Sequence, residues 1–424
     1  MSILPSLREA EQFINNNMHI DEDRKNHRGE VFTSAKLVHE ILDNLPSSVW
    51  KNPHMTWLDP AAGSGHFMVL VYAKCFQGLE NVIKNDEKRK RHILDNMLFM
   101  VELDGKNIQT LHRLFGKDAH ICKADFLGER SKWERAFGRS QFDVVVGNPP
   151  FQTEKSKKYV GSVGHRTLWD KFVVSIFDGI LQKGGYLGFL TPANWRRPEH
   201  SLYKLLTQDN SLRFLHIYGK KDGLKELGAQ TRFDCYVVQE GMPKKGMKTT
   251  VKDELGQVHR LDLASWPFLP NFAYEEIASL LVPRGERSLD ILFDAGKFDA
   301  RYLSKKKTRK YGAPVVHNIT HRGLGLRYGK KKEAKHHGVP KVILNFNEKQ
   351  YPYNDYRGEY GMSQLSFAIP ILSKAHGEKI VRAISSPAFQ DILRATKWSS
   401  FQTDYRMFFY FDRDFYKDAR FLKG

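Results

Sequence analysis

From about residue 30 to residue 242, short apolar runs alternate with longer amphipathic stretches. This alternation predicts strands followed by helices, and hence a doubly wound α/β domain with a mostly parallel, seven-stranded sheet. The predicted strands are Thr56–Leu58, Leu98–Leu103, His120–Cys122, Phe142–Val146, Gly185–Thr191, Arg213–Tyr218 and Asp234–Gln239. Because ligands of such sheets bind at the carboxyl ends of the strands, the residues that follow these runs are the candidates for chemistry.

The pattern changes at residues 242–248, where the sequence MPKKGMK follows the last of these strands. Pro and Gly interrupt regular structure, so a domain boundary is predicted there. The chain then divides into a helical arm at residues 1–27, the α/β domain at residues 28–242 and a mixed α+β domain at residues 243–424. In the last domain a strand is predicted at Pro340–Asn345.

Composition narrows the class of protein. The mean hydropathy is −0.51, no apolar run is long enough to span a bilayer, and the N-terminus has no signal-peptide core. A cytoplasmic protein without membrane contact is therefore expected. Cys75, Cys122 and Cys235 are far apart and form no CxxC pair, so neither a metal requirement nor a disulfide framework is predicted.

Charge is distributed unevenly along the chain. The net charge is +19, with 33 Lys+Arg against 19 Asp+Glu in residues 243–424 and 34 against 29 in residues 1–242. A basic region joined to a nearly balanced one indicates that the basic region binds a polyanion, and nucleic acid is favoured over a merely solubilising surface. Two charge runs stand out, Lys305–Lys310 and Arg327–His337.

The first candidate site follows the first predicted strand, where residues 57–67 are WLDPAAGSGHF. Glycines in this turn allow a ligand to approach the backbone closely, and the helix that follows presents free N–H groups. The turn lacks the Lys of a phosphate-binding loop and contains Asp59, which favours a cationic or hydroxyl-bearing ligand. S-adenosylmethionine fits, because its methionine part has an ammonium and a carboxylate.

Acidic residues follow the next two predicted strands. Glu102, in the segment VELD, lies where an acid accepts both ribose hydroxyls in dinucleotide-binding folds. Asp104 is predicted to cap the following helix instead. In the segment ADFL, Asp125 is a candidate acceptor for the amino group of a bound adenine, and Phe126 a candidate for stacking on it. Helix capping remains an alternative for each acid taken alone.

A third motif, Gly147-Asn148-Pro149-Pro150-Phe151, follows the predicted strand Phe142–Val146. Its prolines make the turn rigid and remove two backbone donors. The Asn148 amide oxygen, a neighbouring carbonyl and the Phe151 ring suit a planar ring with an exocyclic amine. Since Asn and Pro are also good turn residues, the motif alone leaves an ordinary strand-exit turn open.

Together these segments resemble the amino-group DNA methyltransferases, specifically the N6-adenine group, over roughly residues 28–240. DPAAGSGHF is similar to the family's cofactor motif, VELD to its ribose-binding acid, ADFL to its adenine-binding Asp and NPPF to its catalytic motif. The motif order, with Gly29–Ser34 first and a large basic region last, resembles the gamma class. The stretch Gly184–Trp195 looks like the later motifs of Taq-like and type IIG methylases.

The resemblance implies a Rossmann-like methyltransferase sheet, S-adenosyl-L-methionine as cofactor, a C-terminal target-recognition domain and a bacterial, phage or viral origin. The implied reaction is site-specific methyl transfer to N6 of an adenine flipped out of duplex DNA. The implied catalytic residues are Asn148, Pro149, Pro150 and Phe151. The implied cofactor-binding residues are Thr33, Asp59, Pro60, Ala61, Gly63, Gly65, Glu102, Asp125 and Phe126.

Basic residues of the C-terminal region and of the loop after NPPF are expected to contact DNA phosphates, which gives affinity without sequence specificity. They are Lys155, Lys157, Lys158, Lys305, Lys306, Lys307, Arg309, Lys310, Lys330, Lys331 and Lys332. By residue type alone, the candidates for contacting bases are Arg322, Asn345, Asn347, Gln350 and Arg406. Any restriction endonuclease partner is expected to be a separate polypeptide.

Two positions depart from the family pattern. Thr33-Ser34 stands where the family commonly has Thr-Pro, a change expected to alter stiffness more than chemistry. The family also places an aromatic residue, which helps to hold the target base, before the strand Asp234–Gln239. Gly228 aligns with that position, and Phe233 lies nearby at a shifted spacing, so the second stacking partner is not identified.

Other functions remain open. An RNA adenine methyltransferase needs the same pocket. A protein glutamine N5-methyltransferase usually has NPPY and lacks a large basic domain, and an N4-cytosine enzyme typically has Ser in place of Asn148. The non-enzymatic alternative is a DNA-binding subunit with a relict cofactor fold, which the intact DPAAGSG and NPPF motifs disfavour.

Overall fold

Buried apolar runs form the strands of a large mixed α/β sheet. The computed structural model describes Gln12, Ile14 and residues 33–152, 167–283, 286–293, 300–332, 336–347, 349–398 and 403–422. Within them the chain forms two compact units. One comprises the residues up to Trp195 together with Lys204–Leu263, and the other comprises Arg196–Tyr203 together with the residues from Ala264 onward.

All seven predicted strands of the first unit are confirmed, with boundaries shifted by a few residues. They are β1 (Trp57–Asp59), β2 (Leu98–Glu102), β3 (His120–Lys123), β4 (Phe142–Gly147), β5 (Leu181–Pro192), β6 (Ser211–Tyr218) and β7 (Phe233–Gln239). Two further strands, β8 (Thr249–Lys252) and β9 (Val258–Leu261), extend the sheet. The seven-stranded prediction was therefore too small, because the described sheet has nine strands.

The strand order is β3-β2-β1-β4-β5-β7-β6-β8-β9. The pairings from β3 through β5 are all parallel, whereas β7 lies antiparallel between β5 and β6. Because parallel strands end at the same edge of a sheet, the carboxyl ends of β1 to β4 are neighbours. The sheet therefore brings together the three motifs that follow β1, β2 and β4.

Helices connect the strands of this unit and cover the sheet. They are α1 (Ala35–Leu42), α2 (Ser48–Lys51), α3 (His66–Gly78), α4 (Asp86–Asn96), α5 (Gly105–Phe115), α6 (Arg130–Phe137), α7 (Trp169–Phe177) and α9 (Lys220–Leu227), whereas the short helix α8 (Ser201–Lys204) lies in the other unit except for Lys204. Helix α3 confirms the helix predicted after the glycine turn, and its buried side chains, such as Phe67 and Leu70, pack in the main core. Among the described helices, none combines the length and apolar composition that a bilayer span requires.

The second unit contains two small sheets and two longer helices. One sheet has the order β11-β10-β14 and the other the order β13-β12-β15. The strands are β10 (Ala313–Thr320), β11 (Gly323–Gly329), β12 (Lys341–Asn345), β13 (Tyr353–Asp355), β14 (Gly361–Met362) and β15 (Ser366–Pro370). The helices are α10 (Tyr274–Ala278), α11 (Lys374–Ser385) and α12 (Pro387–Ala395). Strand β12 confirms the strand predicted at Pro340–Asn345.

The structure places the end of the first unit later than the boundary predicted at residue 242. Strand β8 pairs in parallel with β6, and β9 pairs with β8, so the polypeptide stays in the sheet as far as Leu261. The short segment Arg196–Tyr203 belongs to the second unit although it precedes β6 in sequence. The helical arm predicted at residues 1–27 lies outside the described residues, apart from Gln12 and Ile14.

Candidate active site

The glycine turn after β1 is tied to the tip of β2. The amide of Gly63 donates to Glu102 Oε2 at 2.7 Å, and the amide of Ala62 donates to the carbonyl of Val101 at 3.0 Å. Gly65 precedes α3 with a φ of +92°, a left-handed conformation that favours glycine. A Cβ at Gly63 would meet no atom within 4 Å, so the backbone of this turn is open to a ligand on that side.

Glu102 is held in one orientation at the tip of β2. Besides accepting from Gly63, its carboxylate accepts from the amide of Asp104 at 2.7 Å. Asp104 itself begins α5, where its side chain accepts from the amides of Lys106 and Asn107. The predicted capping role of Asp104 is thus confirmed, and the two neighbouring acids have different structural roles.

Asp59 is almost completely buried at the end of β1, with 1% of its surface exposed. Its Oδ1 accepts from the amide of Ala61 at 3.1 Å. The pKa of Asp59 is raised to about 8, mainly by burial and also by the nearby Glu102 carboxylate, while the Ala61 hydrogen bond partly opposes the rise. A cationic group bound here would stabilise the ionised form of Asp59, which is buried beside a second carboxylate. Pro60 is buried as well, whereas Ala61 is partly exposed.

The catalytic-motif candidate lies directly beside this turn. Strand β4 pairs in parallel with β1, with Val145 opposite Leu58. A Cβ added at Gly147 would lie 2.8 Å from Asp59 Oδ1, so a larger residue there would displace the carboxyl. Asn148, the next residue, is therefore positioned at the same edge of the sheet as the glycine turn.

Thr33 orients the side chain of Asn148. The Asn148 Nδ2 donates to Thr33 Oγ1 at 3.0 Å across 115 residues of sequence. The Thr33 carbonyl accepts from His66 Nδ1 at 3.1 Å, and His66 Nε2 lies 3.3 Å from Ser64 Oγ. Burial lowers the pKa of His66 to about 4, so the ring is neutral at pH 7 and donates from Nδ1 while it accepts from Ser64. Sequence reasoning proposed Thr33 and Asn148 separately and missed this link.

Ser34 makes a contact that the family's proline could not make. Its Oγ donates to Glu226 Oε2 at 2.9 Å, which ties the start of α1 to the end of α9. The departure from Thr-Pro therefore changes a hydrogen bond as well as stiffness. Residues 29–32 of the same motif lie outside the described part of the chain.

Phe151 is the last residue of NPPF and leads into the loop that follows the motif. Phe151 is half-buried and packs against the main core, Pro149 is buried and Pro150 is exposed. The Phe151 carbonyl accepts from the amide of Leu168 at 3.2 Å. The predicted phosphate contacts Lys155, Lys157 and Lys158 lie outside the described residues.

The stacking role expected of Phe126 is wrong. Its ring is only 3% exposed and lies between Trp133 and Phe172, with ring centroids 5.3 and 5.2 Å away and nearly parallel planes. Both faces are therefore covered by protein, and Phe126 is a core residue. Asp125, in contrast, is exposed, and its Oδ1 accepts from the amide of Leu127 at 3.1 Å.

The second aromatic expected at the target-base pocket is at neither of the positions considered. Gly228 ends α9 in a left-handed conformation. Phe233 is fully buried, and its ring stacks on Tyr218 with centroids 4.6 Å apart. Gly228 has no ring and the Phe233 ring is buried, so neither residue presents a ring face to a target base in this structure.

Three of the five candidates for base contacts already form hydrogen bonds or ion pairs within the second unit. Asn345 is 2% exposed and donates to the carbonyl of Ile319 at 2.7 Å. Gln350 is 3% exposed and bonds to the backbone of Asn345 and Asn347. Arg406 pairs with Asp404. Arg322 and Asn347 are exposed.

The basic candidates of the second unit lie on its surface. These exposed side chains are Lys305, Lys306, Lys307, Arg309, Lys310, Lys330, Lys331 and Lys332. Their exposure leaves these side chains accessible to a polyanion.

The comparisons with known proteins identify a class of fold and a family resemblance. The described part of the first unit has a mixed α/β architecture built on one nine-stranded sheet. Residues 73–223 match the family described as Eco57I restriction-modification methylase. An uncharacterized adenine-specific methylase of Mycoplasma pneumoniae is 24% identical, over 39% of this chain and 55% of the relative. The chain thus spans about half the length of that relative.

Two solved structures resemble the chain over most of its length. A nuclease-deletion mutant of the Type ISP restriction-modification enzyme LlaGI, in complex with a DNA substrate mimic, is similar with a TM-score of 0.57 and 10% identity. The match covers 90% of this chain and 46% of that one. The Type IIL restriction-modification enzyme MmeI, in complex with DNA, gives a TM-score of 0.48 at 14% identity, over 87% and 64% of the two chains.

Proposed function

We propose that this chain is a site-specific DNA methyltransferase that transfers a methyl group from S-adenosylmethionine to N6 of an adenine in duplex DNA. The observation that supports this best is the register of β1 and β4, which brings the glycine turn and Asn148 to one edge of the sheet. The order of the motifs along the chain supports a gamma-class enzyme. The family match and the adenine-specific relative agree with this activity.

The residues around the glycine turn fit the proposed cofactor. S-adenosylmethionine would supply an electrophilic methyl group on its sulfonium. Asp59 would pair with the ammonium of the methionine part, because a buried carboxyl is stabilised by a cation. Glu102, already oriented by Gly63 and Asp104, would accept the ribose hydroxyls with its remaining lone pairs. Asp125 would accept from the adenine amino group.

The NPPF motif would hold the target base. The Asn148 amide oxygen and the Pro149 carbonyl would accept the two N6 hydrogens, and Phe151 would stack on the ring. These oxygens would stabilise the positive charge that develops on nitrogen, while the rigid turn holds the nitrogen in line for attack. A strong base is unnecessary before attack, since the N6 proton becomes acidic only as the new N–C bond forms. The base would be flipped from the duplex, at a cost of a few kcal/mol.

Cofactor binding should release a proton from Asp59. In the free protein the raised pKa, about 8, keeps Asp59 mostly protonated at pH 7, and pairing with an ammonium would lower that pKa. The affinity for S-adenosylmethionine should therefore rise as pH increases from about 6 to about 8. Titration calorimetry in two buffers with different ionisation enthalpies measures the release, and Asp59→Asn should abolish it. Equal binding enthalpies of the unmodified protein in both buffers would contradict the role of Asp59.

The charge runs of the second unit should contact phosphates. Each phosphate contact contributes about 0.9 to the slope of log K against log salt. The triple variant K305A/K306A/K307A should therefore lower that slope by between about 2 and 3 on duplex of any sequence. Fluorescence anisotropy between 50 and 200 mM salt (roughly the range over which such contacts respond) measures it.

A matched control removes three exposed positive charges elsewhere in the same unit. Lys374, Lys379 and Arg382 lie on α11 and are exposed, so their triple alanine variant changes net charge equally. It should leave the slope within about 0.5 of the original, because it removes no direct phosphate contact. Equal slopes for the two triple variants would show that the runs act through net charge alone, against the proposed contacts.

A further inference from the structure

The segment 301–332 is the most basic part of the second unit. It contains eleven Lys+Arg residues and no Asp or Glu. Its centre is the hairpin β10–β11; the run Lys305–Lys310 precedes the hairpin, and the run Arg327–His337 begins within β11. Because no carboxylate within the segment neutralises these positive charges, their electrostatic potential can attract an anionic partner.

The fold brings the two charge runs together at the open end of the hairpin. Ser304 and Tyr328 exchange two backbone hydrogen bonds, of 3.0 and 2.9 Å, which dock the first run beside the end of β11. Lys310 Nζ and Lys330 Nζ each lie 5.9 Å from the centroid of the Tyr311 ring. We call residues 305–310 and 330–332 the flanking clusters. Sequence alone could not show that they meet.

The hairpin is held in place by its apolar face and by hydrogen bonds to its backbone. Val316 and Ile319 of β10 are buried in the core of this unit, against Ile343 and Met362. The Ile319 carbonyl accepts from Asn345 Nδ2 at 2.7 Å. At the other end of the strand, the Pro314 carbonyl accepts from His337 Nε2 at 2.9 Å. A site on such a supported element is positioned more accurately than one on a free loop.

The turn of the hairpin presents polar side chains at the end opposite the flanking clusters. Thr320 pairs with Gly323, and between them His321 and Arg322 are both exposed. The Arg322 amide donates to Thr320 Oγ1 at 3.2 Å, and Gly323 has a φ of +108° that suits a tight turn. Within the described part of the chain, the Arg322 guanidinium makes no hydrogen bond or ion pair.

From this arrangement we infer that the exposed turn of the β10–β11 hairpin reaches into the DNA major groove and that Arg322 contacts base edges. In the major groove, Arg donates in a bidentate manner to guanine O6 and N7. The flanking clusters at the open end would contact the backbone phosphates beside the groove. A-form RNA has a deep, narrow major groove that side chains cannot enter, so duplex DNA is the favoured partner. The inference rests on the proposed function for its choice of ligand.

Selection from a pool of randomised duplex DNA tests the role of Arg322 without any methyl transfer. The full chain, Arg322→Ala and the control Arg382→Ala, another exposed arginine of the same unit, are each used to enrich bound DNA, which is then sequenced. The unmodified chain and the control should enrich one motif. Arg322→Ala should enrich the same motif with one guanine position made degenerate. Its affinity for the original motif should fall about 5- to 150-fold, as expected for the loss of a bidentate base contact.

Binding to unselected duplex separates a base contact from a phosphate contact. Arg322→Ala should bind unselected duplex within about two-fold of the unmodified chain, with the same salt slope. Two results would overturn the inference: an unchanged motif in Arg322→Ala, or a uniform loss on all sequences with a slope lowered by about 1. Selection of no motif by the unmodified chain would overturn it too. Absence of methyl transfer alone would instead count against the proposed function.

Discussion

Asn148→Ala should lower the rate of methyl transfer by at least about 100-fold, because removing one preorganised group that stabilises developing charge has effects of that size. The cofactor site should survive, since the amides of Gly63 and Asp104 hold Glu102 in place independently of the Asn148 side chain. The dissociation constant for S-adenosylmethionine should therefore change by less than about threefold. Single-turnover transfer of labelled methyl to duplex DNA, together with cofactor calorimetry, measures both quantities.

Thr33→Val and Thr33→Ser refine this prediction. Valine removes the hydroxyl that accepts from Asn148 Nδ2 and keeps the side-chain shape, so the Asn148 amide is held less firmly and the rate should fall about 10-fold. Serine keeps the hydroxyl and should restore most of the rate. An Asn148→Ala enzyme that keeps more than a tenth of the original rate would show that another group accepts the target amine.

Glu102→Ala should weaken cofactor binding by about 10- to 150-fold, a loss equivalent to one or two hydrogen bonds to a charged group. The change removes the proposed ribose contact and leaves the amides of Gly63 and Asp104 without their present acceptor. Calorimetry with S-adenosylhomocysteine, the demethylated product, measures the affinity without turnover.

Asp104→Asn is the matched control at the same strand tip. Asp104 caps α5 by accepting from the amides of Lys106 and Asn107, and Asn is an equally good capping residue. Its affinity for the cofactor should stay within about two-fold of the original. If Asp104→Asn weakened binding as much as Glu102→Ala does, the division of roles between the two acids would be incorrect.

Seven strands of the first unit could be predicted because each is a short apolar run, and five of these runs are followed directly by Gly, Pro or Asp. The positions of the two acids at the tip of β2 were also predictable, because Glu102 and Asp104 lie at different distances from the end of the strand. Strands β8 and β9 were missed because TTVK and VHRL have few apolar residues. Their place in the sheet depends on pairing with β6, which is distant in sequence.

The sequence could not predict which way individual side chains point or which groups they contact. Phe126 follows a strand tip as a cofactor-binding ring would, yet Trp133 and Phe172, from later elements, cover both of its faces. Asn345 and Gln350 are suitable base-contacting residue types, but backbone groups of the second unit use their amides. The link from Thr33 to Asn148 likewise depends on tertiary packing, because the two residues are far apart in sequence.

Sequencing with modified-base detection of DNA from a methylation-deficient bacterial host tests the central claim most directly. Expression of the full chain should produce N6-methyladenine at one recurring sequence motif, and expression of Asn148→Ala at a matched level should produce none. Host DNA without N6-methyladenine, methylation on cytosine, or the same modified sites with both proteins would contradict the proposal.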